Sequence, residues 1–111
     1  MGTFVISKRK NGEFQFNLKA KNGQIILSSE GYSSKSACQN GVESVIKNSQ
    51  ENNRFDRLES KNGKVYFNLK ASNGQIIGSS QMYETKASME NGIESVKTNA
   101  ADSTIKEELD A

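Results

Sequence analysis

Phe14-Gln-Phe-Asn-Leu-Lys-Ala-Lys-Asn-Gly-Gln-Ile-Ile26 returns 51 positions later as Val65-Tyr-Phe-Asn-Leu-Lys-Ala-Ser-Asn-Gly-Gln-Ile-Ile77. In the first copy Phe14, Phe16, Leu18 and Ala20 alternate with Gln15, Asn17 and Lys19, the period-two pattern of a strand with one buried face. An Asn-Gly pair follows this strand at 22–23 and another precedes it at 11–12; both recur at 73–74 and 62–63. Asn-Gly between alternating segments signals a tight hairpin, because a two-residue type I′ turn needs φ > 0 at both central residues. Each copy therefore predicts a three-stranded antiparallel meander. Its strands are expected over 4–10, 13–20 and 24–29, then 55–61, 64–71 and 75–80.

A third Asn-Gly pair, at 40–41 and 91–92, lies in a different pattern. Cys38, Val42, Val45 and Ser49, matched by Met89, Ile93, Val96 and Ala100, form the apolar stripe of an amphipathic helix. Ser34 and Thr85 stand at the N-cap positions, where a side-chain oxygen satisfies first-turn amides. Beside the stripe run Ala37, Gly41, Ser44 and Asn48, and then Ser88, Gly92, Ser95 and Asn99. A mid-helix glycine costs about 1 kcal/mol relative to alanine, so two of them at one position require a reason. Close approach of another backbone is the expected one; a helix that ends at Gly41 and restarts is the alternative.

The reading is a βββα–βββα chain of α+β class, a tandem duplication forming an internal pseudo-dimer, with an antiparallel sheet under two helices. Repeat one spans 4–50 and repeat two 55–101, within a single domain of 111 residues. A unit this short buries only about 60% of its unfolded surface, so the halves are expected to share one core. Only 33% of residues are apolar and mean hydropathy is −0.72, which limits that core to one helix layer on one sheet. Residues 102–111 are expected as an acidic, frayed tail, in which Thr104 and Ile105 can add a short edge strand.

The repeated Phe-x-Phe-Asn-Leu-Lys-Ala-x-Asn-Gly-Gln-Ile-Ile core, with Ser-Ser-x-x-Tyr and Asn-Gly-(Val/Ile)-Glu-Ser-Val after it, resembles the YegP-like family of small uncharacterised bacterial proteins. The resemblance runs from Phe4 to Ala101 through both copies. It implies an internal pseudo-dimer for tandem chains and carries no activity. Two positions depart from the internal match: Leu27 becomes Gly78, and Ile46 becomes Lys97.

With two-residue turns, Lys19 falls opposite Phe4 on one side and Ile26 on the other, and Lys70 falls between Phe55 and Ile77. Asn17 and Asn68 share that sheet face, and Tyr66 projects from it. These nine residues form the candidate binding surface: apolar groups flanking a cation and an amide. The structural alternative is a second small core crossed by lysine stems. Tyr32 and Tyr83, at the strand-to-helix junctions, are expected to pack their rings and anchor their hydroxyls on backbone.

Catalytic signatures are missing. The chain has no histidine, the commonest general base and metal ligand, and a single cysteine leaves no usual zinc site. Cys38 aligns with Met89 and reads as a small buried hydrophobe. The pairs Ser28-Ser29 and Ser79-Ser80 lack an activating motif, with a Ser–Lys pairing left open. Neither a Walker A sequence nor a Gly-x-Gly-x-x-Gly fingerprint occurs. Fifteen basic and 13 acidic residues leave a net charge of +2 with no basic cluster, against nucleic acid or an anionic membrane as partner. No stretch reads as a signal peptide or membrane span. The expectation is a cytoplasmic, monomeric, non-enzymatic module that binds a protein or peptide, without cofactor or metal. Weak single-strand nucleic-acid binding through sheet aromatics is the alternative, and an unrecognised enzyme the third reading.

Overall fold

The computed structural model describes residues 2–108. In chain order the elements are β1 (Gly2–Lys8), β2 (Phe14–Lys19), β3 (Ile25–Ser28), α1 (Lys35–Asn48), β4 (Phe55–Glu59), β5 (Val65–Lys70), β6 (Ile76–Ser79), α2 (Lys86–Ala101) and β7 (Ser103–Glu108), with a single 3-10 turn at Asn52–Arg54. All seven strands belong to one sheet, ordered β4-β5-β6-β3-β2-β1-β7. The two meanders meet at its centre, where β3 and β6 pair antiparallel through Ser28 and Ser79. Those two residues hold the same position in the two copies, so the local twofold passes between them. Each helix packs on strands of both repeats, which makes the core common property.

The Asn-Gly turns are not of the two-residue kind. The Arg9 amide donates to the Glu13 carbonyl and the Gly12 amide to the Arg9 carbonyl, enclosing a three-residue loop. The same bonds recur around Gly23, Gly63 and Gly74. Among the described residues only these glycines have positive φ, from 84° to 89°, whereas a type I′ turn would also need it at asparagine. Each asparagine instead turns its Oδ1 to an amide two residues on, as Asn22 does for Gln24 at 3.0 Å.

That extra loop residue shifts the first hairpin by one. Phe4 pairs with Leu18 and Ile6 with Phe16; Phe55 pairs with Leu69 in the second copy. A one-residue slip exchanges the faces of a strand. Phe4 therefore enters the core at 0% exposure, edge-on to Phe16 with centroids 5.8 Å apart. Between β2 and β3 a bulge moves the register: Lys19 faces Ile25, but Leu18 faces Leu27. The extra residue, Ile26, joins Leu27 in the core.

Both helices start where expected, the Ala37 amide bonding to Ser34 Oγ and the Ser88 amide to Thr85 Oγ1, each at 3.1 Å. They run unbroken through Gly41 and Gly92. The glycines make room for a ring rather than a backbone: a Cβ on either would overlap the hydroxyl end of Tyr32 or Tyr83. Gly78 does the same for Leu27, whose Cδ2 would lie 2.7 Å from a Cβ there. The mismatch between the copies thus falls at the local axis, where one leucine fills the space of two. At the other mismatch, Ile46 packs against the core while Lys97 sends its ammonium to Asn52 Oδ1 at 3.2 Å.

The tail corrects the expectation of fraying. Residues 103–108 form β7, paired in parallel with β1 from Gly2–Ser103 to Ser7–Glu108. The sheet is thus mixed, not wholly antiparallel. The remainder of the tail, 109–111, lies outside the described residues.

Candidate binding surface

The face turned away from the helices carries five of the nine candidate residues. Asn17, Lys19, Tyr66, Asn68 and Lys70 are half-buried there. Phe4, Ile26, Phe55 and Ile77 are not: the register shift and the bulges put them in the core at 7% exposure or less. The expected apolar–lysine–apolar row therefore does not form. Lys19 lies between Thr3 and Ile25, and Lys70 beside Ile76. Ile25 and Ile76 are over 40% exposed, so each lysine keeps one apolar neighbour.

Across the middle of this face runs a polar row, Asn17–Ser28–Ser79–Asn68, set by the strand registers. Ser79 Oγ donates to Asn68 Oδ1 at 2.7 Å. Charges on the face are mixed: Lys70 pairs with Asp56 at 3.1 Å and Lys106 with Glu108 at 3.4 Å. Such a surface concentrates no positive potential for a polyanion.

The other singled-out residues have local duties. Ser29 Oγ accepts from the Phe16 amide and donates to the Glu30 carbonyl, both at 2.9 Å, and Ser80 does likewise for Phe67 and Gln81. These hydroxyls continue the ladder where β3 and β6 leave it. Tyr32 bonds Phe14 through the backbone in both directions at 2.7 Å and stacks on Phe16 at 6.2 Å. Its hydroxyl rests against Gly41 rather than on a backbone partner. Burial raises the Tyr32 hydroxyl above its usual range, with lesser help from Cys38 and Glu30. Cys38 is wholly buried, and desolvation pushes its thiol up to about 11. A thiol so placed is a poor nucleophile. Among the described residues no group of three or more His, Cys, Asp or Glu could hold a metal ion.

The two sheet edges are unequal, and the sequence pattern did not reveal it. At one edge β7 covers β1. At the other, no strand among the described residues pairs with the outer side of β4. Antiparallel pairing alternates bonded and non-bonded residues. Because the Ser60 amide donates to the Lys64 carbonyl, Leu58 and Asp56 bond inward to β5, and Arg57 and Glu59 turn their backbone groups outward. The Phe55 amide, on the same side, donates to the Asn52 carbonyl of the 3-10 turn. Arg57 Nη1 makes a long 3.4 Å bond to the Phe55 carbonyl. Its Nη2 binds Glu90 Oε1 at 3.0 Å, and its Nε binds the other oxygen. The hydrogen bonds from Arg57 hold the Glu90 carboxyl below the ordinary range. Between β4 and the first turns of α2 opens a cleft of about 310 Å³, lined by Arg57, Leu58, Glu59, Val65, Lys86, Met89 and Glu90. The one signal for this asymmetry was Thr104-Ile105, a β-prone pair in an otherwise charged tail.

A family model described as "Domain of unknown function (DUF1508)" matches residues 10–56 and again 60–107. A UPF0339 protein from the ptx operon 5′ region of Stutzerimonas stutzeri is 55% identical over 106 residues, covering 96% of each chain. The UPF0339 protein YegP of Escherichia coli K12 is 51% identical with the same coverage. The solution structure of YegP from E. coli, a protein of unknown function, superposes with a TM-score of 0.94 at 49% identity, covering 99% of this chain and 95% of that one. A UPF0339 protein from Shewanella oneidensis gives 0.92 at 50% identity, over 97% and 92%.

Proposed function

The chain belongs to the DUF1508 family, and on its geometry we propose that it is an interaction module receiving an extended segment of a protein or peptide along the open edge of β4. The observation that carries this reading is the inequality of the edges: one is sealed by the chain's own β7, the other presents unpaired backbone groups beside a cleft. In strand addition the main chain supplies affinity and alternate side-chain pockets supply selectivity. Arg57 and Glu59 offer the former and the cleft the latter. The twofold being internal, the module acts as a monomer. A reducing compartment such as the cytoplasm suits its lone, unpaired Cys38.

Selection from a random heptapeptide library tests the proposal. Binders should slow amide exchange at Arg57 and Glu59. The Arg57 amide points away from β5, so Arg57→Pro keeps the ladder yet removes the central donor. It should lose the binders, whereas Arg57→Ala should retain them. Binders that protect the Lys19/Lys70 face, or that ignore the proline, would sink the proposal.

A further inference from the structure

What the open edge accepts can be read from what fills the closed one. In β7 the side chains of Ser103, Ile105 and Glu107 lie toward the helices, alternating with Thr104, Lys106 and Glu108. Ile105 sits opposite Phe4 and Glu107 opposite Ile6. The Glu107 carboxylate lies 2.8 Å from Lys35 Nζ, and Gln39 Nε2 donates to it at 3.4 Å. Carried forward by the 51-residue repeat, Phe4 becomes Phe55, Ile6 becomes Arg57, Lys35 becomes Lys86 and Gln39 becomes Glu90. Lys35 and Gln39 are half-buried, whereas Lys86 and Glu90 are exposed.

The charges at this second seat are unevenly matched. Glu90 is already gripped by two nitrogens of Arg57. Among the described residues, no carboxylate lies within ion-pair distance of Lys86. Glu59 lines the same cleft, so an acidic side chain is favoured beside Lys86 and disfavoured further along β4.

We infer that the β4 edge takes an extended peptide in parallel orientation, with a branched apolar and then an acidic residue, two positions apart, facing the helices. This is an Ile-x-Glu type of segment, with its acid paired to Lys86. The Ser103 position does not carry over, because the counterpart of its partner Gly2 is Asn53, in the 3-10 turn before β4. The inference rests on the strand-addition reading and specifies its ligand. An antiparallel strand would carry the acid away from Lys86, and a basic residue there would meet two cations.

The probe is a synthetic, end-blocked peptide with the sequence of residues 102–108, titrated into the full chain and followed by amide shifts. The chain's own β7 occupies the β1 edge, so shifts should appear at Phe55, Arg57, Glu59 and Lys86. Lysine in place of Glu107 in the peptide, or Lys86→Glu in the protein, should each weaken binding about two- to fivefold, the size of an exposed ion pair. Combining the two reversals should restore part of the loss. Equal affinity for the acidic and basic peptides would overturn the inference, as would shifts at Phe4 and Ile6 from displacement of β7. Concentration-dependent self-association through β4 would also overturn it, making a second copy the occupant. If library peptides of another pattern bind β4 while the probe does not, strand addition stands and this ligand falls. If nothing binds the edge, both fall.

Discussion

Exchanging Leu27 and Gly78 should leave the fold nearly intact, although each substitution alone damages it. The two hold one position of the repeat, and Leu27, at 0% exposure, leans across the local axis over Gly78. Leu27→Gly removes a fully buried side chain, at about 2–5 kcal/mol for the cavity and about 0.5–1 more for glycine in a strand. Gly78→Leu forces a second leucine into filled space, at about 1–3 kcal/mol or more. Added independently, the losses reach roughly 4–9 kcal/mol, against a total stability of about 5–15 for a domain. The exchanged chain returns one leucine to the axis from the opposite repeat. It should sit within about 2 kcal/mol of wild type, a coupling well beyond the few tenths expected of independent sites. Urea unfolding followed by far-UV circular dichroism measures it, since the chain has no tryptophan. A double variant that loses the sum of the single losses would refute the shared-space account. If both single variants fail to fold, folding of the exchanged chain is itself the expected result.

Three further outcomes are expected. Gly92→Ala gains about 1 kcal/mol of helix propensity but crowds Tyr83 at about 1–3, so it destabilises in thermal melts. With Tyr83→Leu already in place the same change should stabilise, and no change of sign would refute the tyrosine-pocket explanation. Cys38, with its thiol pushed up to about 11, should resist a maleimide at neutral pH until urea unfolds the chain. The Glu90 carboxyl is depressed by Arg57, so its contribution is present above the ordinary carboxylate range and lost as pH falls through its folded value. Glu90→Gln should therefore flatten the acid limb of the stability profile relative to wild type, by a modest amount at so exposed a pair.

Much of the architecture was legible because local signals agreed with one another. Alternation in Phe14–Ala20, the caps Ser34 and Thr85 and the 51-residue repeat all point to one βββα unit. The candidate face lost Phe4 and Phe55 to a single loop residue in each copy. Asn11-Gly12 serves a two-residue turn and a three-residue turn equally well as a dipeptide, but the choice reverses which face Phe4 occupies. The bulge at Ile26 is likewise set by neighbouring strands, not by its own sequence. The seat of β7 was hidden for another reason: Ser-Thr-Ile-Lys-Glu-Glu has one large apolar residue, and its pairing depends on a vacancy beside β1 almost the whole chain away.

The Asn-Gly turns have a consequence for the lifetime of the molecule. Asn-Gly is the dipeptide most prone to deamidation, because an unhindered glycine nitrogen can attack the preceding side-chain amide to form a succinimide. In the four turns that nitrogen is engaged, Gly12 donating to Arg9 at 3.0 Å and Gly23 to Ala20 at 2.8 Å, with Gly63 and Gly74 alike. The remaining two glycines are locked in helical ladders. Folding thus withholds the attacking group at all six sites, and chemical ageing of this protein should record the time its chain has spent unfolded.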